Sequence, residues 1–426
     1  MTILRRARRV TASVVATATT LAIGVLGSVG AAPPASSAPA LSVDSQWIDA
    51  WGASPQSGDP GIPGMPSATP FANQTLRLIV HPHASGSVAR IRLSNDFGTQ
   101  PVVLGHVSIA NQTSGAAVNP TSVRLVTFLG AESVTIPAGG ETTSDPIPFT
   151  VTAGHNVAVD IYLPQSTGVP TGHLDAQQTS YVSTAGDHAG EAALPVGSSI
   201  PSWFFLTDIQ TVNVGEAGVV AFGDSITDGT NSTVDANHRW PDYLATDLAK
   251  QQKTSRLAVI DEGIGGGRLI HDVIGPSGLS RFDRDVLAKP SVHYVIVLIG
   301  INDIGVPSLL DPSQAVTSAQ IIQSYQQLIS EAHAHGLAIY GGTLSPVGGS
   351  IYDNPANEQE RQQVNAWLHS TAGASGGFDK LVDFDTVLRD PSDPSRLLPA
   401  FDSGDHIHPD DSGYTAAATA AAQLFS

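Results

Sequence analysis

Beyond Gly215-Glu216-Ala217 the chain becomes an alternation, in which short apolar runs bounded by Gly, Asp or Pro are separated by amphipathic stretches. The runs are Val219 to Phe222, Leu257 to Ile260, Tyr294 to Ile299, Ala338 to Leu344 and Lys380 to Phe384. Around them lie Trp240 to Gln252, with Pro241 in its first turn, Ser313 to His335, Glu358 to His369 and Asp411 to Leu424. Runs that are apolar on both faces read as strands buried in a parallel sheet, and the amphipathic stretches read as the helices that cover it. The alternation therefore predicts a doubly wound α/β domain over residues 215–426. Ligands of such sheets bind beyond the carboxyl ends of the strands, so chemistry is expected there before any motif is consulted.

The preceding stretch has a different texture. From Trp47 to Val214 it is rich in Thr, Val, Gly and Pro, with short alternating runs such as Thr75-Leu76-Arg77-Leu78-Ile79-Val80, Ser87 to Leu93 and Val157 to Leu163. Period-two alternation between turn residues, with no convincing helical period, predicts an antiparallel β-sandwich over residues 41–214.

The first 40 residues read as a signal peptide. Arg5, Arg6, Arg8 and Arg9 precede an Ala-rich apolar stretch from Val10 to Val29, and Ala38-Pro39-Ala40 supplies a small-residue cleavage signal. The competing reading, a membrane anchor, is disfavoured by Thr11, Ser13, Thr17, Thr19 and Thr20 and by the lack of a second apolar span. Secretion is expected, by the general or the twin-arginine route. Cleavage after Ala40 removes 40 of 426 residues with four arginines and no acid, taking the formal charge from −18 to −22. So acidic a protein repels phosphate backbones and anionic lipid, which argues against nucleic acid and electrostatic membrane docking and favours a neutral or cationic substrate. There is no cysteine, which excludes thiolate nucleophiles and thiolate metal sites.

Four polar motifs follow the expected strands or fill the last loop. Gly223-Asp224-Ser225-Ile226-Thr227 follows the first strand; a serine held there can act as a nucleophile, although Gly-Asp-Ser is also ordinary turn chemistry. Gly263-Ile264-Gly265-Gly266-Gly267-Arg268 follows the second, where a glycine can turn its N–H toward an oxyanion. A phosphate cradle is the rival reading, but the Lys-Ser or Lys-Thr of a P-loop is missing. Gly300-Ile301-Asn302-Asp303 follows the third; its asparagine can offer a neutral N–H₂ donor or simply serve as a turn residue. Asp405-His406-Ile407-His408-Pro409 precedes the last helix, where an Asp three residues before a His can reach its Nδ1–H and leave Nε2 free to take a proton. His406 is a rival base, and the His-x-His pattern admits a metal reading, but His81-Pro82-His83 and His333-Ala334-His335 show that such pairs recur among the 14 histidines.

In this order, the four blocks resemble those of the SGNH/GDSL hydrolase family over about Ala217 to Ser426. The resemblance implies a flavodoxin-like parallel sheet and a carboxylic ester hydrolase that needs no cofactor or metal. It implies Ser225 as nucleophile, with Asp405 and His408 completing the triad; histidine precedes proline in these proteins, which selects His408. The Ser225 N–H, the Gly266 N–H and the Asn302 side chain would form the oxyanion hole. Gly267 departs from the pattern, since relatives often carry Asn or Asp there. Trp51 to Gln56 and Arg92 to Gly98 are similar to parts of the β-rich leader of exported bacterial members. These features predict a secreted esterase acting on acetyl or short acyl esters, including those of polysaccharides. A lipase or lysophospholipase, and a catalytically silent carbohydrate-binding protein, are the rivals.

Overall fold

The structure is a computed structural model, and it describes residues 47–426 apart from residues 63, 64, 66 and 214. The expected signal peptide lies outside the described residues. The described residues belong to one compact unit.

The β-rich half is antiparallel. One sheet runs in the order Trp47–Gly52, Leu206–Val212, Ala89–Asn95, Gly140–Thr143. The other has Val157–Leu163 at its centre, between Gln74–Val80 and His106–Ser114. Alternate residues explain how the sheets pack: Ile48, Ile91 and Leu93 of the first share a core with Leu76, Leu78, Val159 and Ile161 of the second. The intervening polar positions do not all reach water. Asp160 stands opposite Arg77 in register, and the two form a buried bidentate pair with bonds of 2.7 and 2.8 Å. Desolvating two charges is costly unless each is fully bonded, and here Ser108 Oγ also donates to Asp160 while Arg77 donates to the Glu191 carbonyl. A small third sheet pairs Thr171–His173 with Trp203–Phe204 and Gln56–Ser57. It brings His173 to the α/β half.

That half is a five-stranded, wholly parallel sheet. Its order is Leu257–Glu262, Ala217–Gly223, Val292–Leu298, Ala338–Gly342, Lys380–Val382, with the sheet's first strand in sequence second in line and a switch point beside it. Successive side chains feed opposite faces. Val219 and Ala221 pack with Trp240, Leu244 and Ala418, whereas Val220 and Phe222 pack with Ile321, Tyr325 and Leu328. Helices on both faces make the sheet doubly wound, as the apolar runs predict.

Helix boundaries differ from the expected ones where capping chemistry decides them. The stretch expected to be helical from Ser313 starts at Ser318, because Pro312–Gln314 forms a 3₁₀ turn and Thr317 makes a capping box with Gln320. Pro355–Thr371 begins upstream of Glu358, with Asn354 as N-cap and Pro355 in the first turn. Ile301–Leu309 is helical although no amphipathic stretch announced it.

Buried polar contacts tie the two halves together. Lys289 Nζ lies 2.7 Å from Glu262 in the parallel sheet and 3.7 Å from Asp49, and it also pairs with Asp208; both aspartates belong to the β-rich half. Burial disfavours the ammonium, but the three carboxylates outweigh it and hold the Lys289 pKa well above the usual lysine range. Ser291 Oγ donates to the Trp47 carbonyl, and His83 lies between the Val259 carbonyl and Asp242. No helix among the described residues is long and apolar enough to cross a membrane.

Candidate active site

Ser225 sits where the first parallel strand gives way to a four-residue helix, Ser225–Asp228. The turn is tight for a steric reason: a Cβ on Gly223 would lie 2.0 Å from Thr227 Oγ1 and 2.6 Å from the Leu298 carbonyl. Asp224 caps the helix by accepting from the Ile226 N–H, and Gly229 ends it in the left-handed region at φ 86°. The N–H of Ser225 therefore falls in a first helical turn, where the helix itself supplies no acceptor. Burial pushes the Asp224 carboxyl up to about 7, against the Ile226 amide, which lowers it. Behind the turn, Arg281 donates to the Gly223 and Glu262 carbonyls and lies over the Phe222 ring at 4.1 Å.

His408 and Asp405 come from the loop before the last helix. Ser225 Oγ lies 2.7 Å from His408 Nε2, and His408 Nδ1 lies 2.6 Å from Asp405 Oδ2. A carboxylate only accepts, so Nδ1 carries the proton facing Asp405 and Nε2 is left to accept from the serine hydroxyl. Asp405 also accepts from the His408 and Ile407 amides and from Asn231 Nδ2. Partial burial raises the Asp405 pKa, but the His408 ring bond and these amide bonds outweigh it and hold the carboxyl well below the usual range. His406 points elsewhere, its Nδ1 2.5 Å from Asp402, with a left-handed backbone at φ 66°. Among the described residues no three His, Asp or Glu side chains cluster as metal ligands would.

The other two loops face the serine. Gly266 is left-handed at φ 69°, a conformation that favours glycine, and a Cβ there would push the end of the Ile274 side chain aside. Gly267 has no need of a side chain to hold the loop. Its N–H donates to the Ile264 carbonyl at 2.9 Å and its carbonyl accepts from Asn302 Nδ2 at 2.9 Å. Tyr352 donates to Asn302 Oδ1, which fixes the amide orientation and leaves the second Nδ2 hydrogen for a ligand. Asp303 joins the loops by accepting from the Leu269 and Ile270 amides; burial pushes its carboxyl up to about 6 despite those bonds.

Ser225, Gly266, Asn302, Asp405 and His408 thus line one cleft of about 490 Å³. Its remaining wall includes Gln56, Met65, Leu174 and Asp175 of the β-rich half, which lie outside the four polar motifs. Tyr352 and Asn231 were equally silent in the sequence, because each acts across a long chain separation on a residue whose own motif is local.

The GDSL-like lipase/acylhydrolase family model matches residues 221–416. This part of the chain is a GDSL-like lipase/acylhydrolase domain. It is a carboxylic ester hydrolase domain, with the four motif blocks inside the matched span or on its loops. Similar solved structures include a GDSL-like lipase from Bacteroides thetaiotaomicron, at 20% identity over 49% of this chain and 87% of that one, with a TM-score of 0.37. A variant of an acetyl-xylooligosaccharide esterase from a Geobacillus species has 21% identity over 50% and 94%, with a TM-score of 0.38. A member of the lipolytic protein G-D-S-L family from Veillonella parvula has 19% identity over 49% and 98%, with a TM-score of 0.37. No curated protein matches the chain. The antiparallel β-rich half precedes the matched GDSL domain.

Proposed function

We propose that the chain is an exported serine esterase in which Ser225, His408 and Asp405 act as one unit. The observation that carries this reading is the unbroken line from Ser225 Oγ through His408 to Asp405, at 2.7 and 2.6 Å, opening into the cleft that Asn302 also lines. Ser225 Oγ attacks the ester carbonyl carbon and its proton passes to His408 Nε2. The carbonyl oxygen becomes an oxyanion that accepts from the Ser225 and Gly266 amides and from Asn302 Nδ2. Collapse breaks the bond to the alcohol, whose oxygen takes the proton from His408. Water, deprotonated by the same histidine, then releases the acid and restores the serine. A serine-reactive fluorophosphonate should label the protein at Ser225 and fail to label Ser225→Ala; labelling of both at equal rates would reject the assignment.

Asn302→Ala tests the oxyanion donor. Its charge-stabilising bond forms only in the transition state, so kcat should fall about 10²- to 10³-fold with KM little changed. An unchanged kcat would remove Asn302 from the mechanism.

The substrate reading from sequence is an acetyl or short acyl ester, including those of polysaccharides, and the acidic surface favours a neutral one. An apolar groove of about 570 Å³ favours a second reading, since Phe71, Phe204 and Ile200 line it and it shares Met65 and Leu174 with the catalytic cleft. An acyl chain entering that groove would bury its methylenes. From acetate to hexanoate aryl esters, kcat/KM should then rise by up to about fourfold per carbon, the equivalent of ~0.8 kcal/mol per buried methylene. A flat or falling series returns the enzyme to acetylated carbohydrate.

A further inference from the structure

His173 belongs to the β-rich half, yet it is buried against the turn that carries Ser225. Its Nδ1 lies 3.1 Å from the Ser54 carbonyl and its Nε2 lies 2.9 Å from Asp228 Oδ1. Both partners only accept, so satisfying both requires a proton on each ring nitrogen, which makes the ring an imidazolium. Asp228 is the last residue of the short helix that Ser225 begins, and its other oxygen accepts from the Gly265 N–H at 2.9 Å. Gly263 lies on the same carboxylate's backbone so closely that a Cβ there would come within 2.2 Å of the Asp228 nitrogen. The loop bearing Gly266 is thus pinned to the serine helix by one carboxylate, whose countercharge comes from the other half of the chain.

We propose that His173 is a positioning residue for ester hydrolysis: as an imidazolium it holds Asp228 in the orientation that fixes Gly265 and so aims the Gly266 N–H at the developing oxyanion. This rests on the esterase reading above. The ring does not touch the substrate; it acts through Asp228. A carboxylate buried without its cation would swing toward solvent or take up a proton, and either change releases the Gly265 N–H.

The surroundings set the direction of titration. Burial disfavours the charged ring, but Asp228 at one end, the Ser54 carbonyl at the other and Asp261 nearby outweigh it and raise the His173 pKa to about 9. Asp175, whose carboxyl burial raises, also faces this pair, and Arg239, His83 and Asp242 line the same small cavity. Trp203 covers the ring at 5.3 Å, with the Arg239 guanidinium 5.4 Å from the Trp203 centroid. Because the folded pKa lies above the unfolded one, the pair contributes fully below about pH 6.5 and is lost as pH rises through about 9.

The experiment is a double-mutant cycle with His173→Gln and Asp228→Asn on an aryl ester, with Ser225→Ala alongside. His173→Gln should lower kcat about ten- to a hundredfold while KM moves less than about twofold, as expected when a reacting geometry is loosened without loss of a substrate contact. In the Asp228→Asn background it should add almost nothing, because the two act on the same loop. Wild-type kcat should fall with a single ionisation near pH 9, with unchanged far-UV circular dichroism, and His173→Gln should lack that limb. Wild-type kcat in His173→Gln, or fully multiplicative effects in the double variant, would overturn the proposal while a dead Ser225→Ala keeps the esterase reading intact. Activity in Ser225→Ala would instead reject that reading. If His173→Gln does not fold, His173→Asn takes its place, and wild-type kcat in that variant refutes the proposal.

Discussion

Ser225→Ala and His408→Ala are each expected to lower kcat by about 10⁴-fold or more while leaving the thermal transition in place, because nucleophile and base act as one unit and neither functions without the other. The double variant should be scarcely worse than either single one. Whatever turnover persists comes from the oxyanion donors and from binding alone. His406→Ala is the internal control: its ring bonds Asp402, away from Ser225, so it should cost little. Steady-state kinetics on an aryl ester checks all four proteins. A dead His406→Ala beside an active His408→Ala would reverse the assignment of the base.

Lys289→Met is expected to have the largest effect on stability, about 3–5 kcal/mol, the usual cost of removing one partner from a buried charge cluster. Three carboxylates, Asp49, Asp208 and Glu262, converge on its ammonium; without it, Arg92 lies 4.0 Å from Asp208, and Arg281 and Arg284, which face Glu262, are already paired with Asp285. Methionine fills much of the space, so the loss isolates charge from volume. The sign of the pH dependence follows from the carboxylates. In the variant they are held protonated in the folded state and ionise freely in the unfolded one, so their folded pKa values lie above the unfolded values near 4 and the deficit grows as pH rises above that. Denaturant unfolding at about pH 5 and pH 8 should show a clearly larger loss at the higher value. A loss below about 1 kcal/mol at both would mean that the cluster is not what fastens the halves. The same variant should lower activity only to the extent that it unfolds the protein, since Lys289 reaches no group in the cleft.

The motif residues were legible because each is announced by its neighbours. Gly223 meets Thr227 four residues on, Gly266 is a left-handed position in a glycine run, and Asp405 reaches His408 across three residues. Buried parallel strands are equally local, since a strand covered on both faces must be apolar along its whole length. Helix starts were less legible. At Ser318 and Pro355 a cap and a proline set the boundary, whereas the amphipathic pattern runs past one and stops short of the other.

The doubly wound sheet and the identity of the groups at its strand ends are written in the chain locally, since short-range periodicity and turn sterics specify both. Which distant side chains complete the site is set by the folded arrangement. His173 meets Asp228 across 55 residues, Tyr352 meets Asn302 across 50, and Asn231 meets Asp405 across 174. Nothing in the spacing of these residues encodes those contacts. The first of them follows from the buried seam, where Lys289, His83 and Arg281 must find partners once water is excluded, and finding them sets the β-rich half against the catalytic turn; the other two follow from how the loops of the parallel sheet pack on one another.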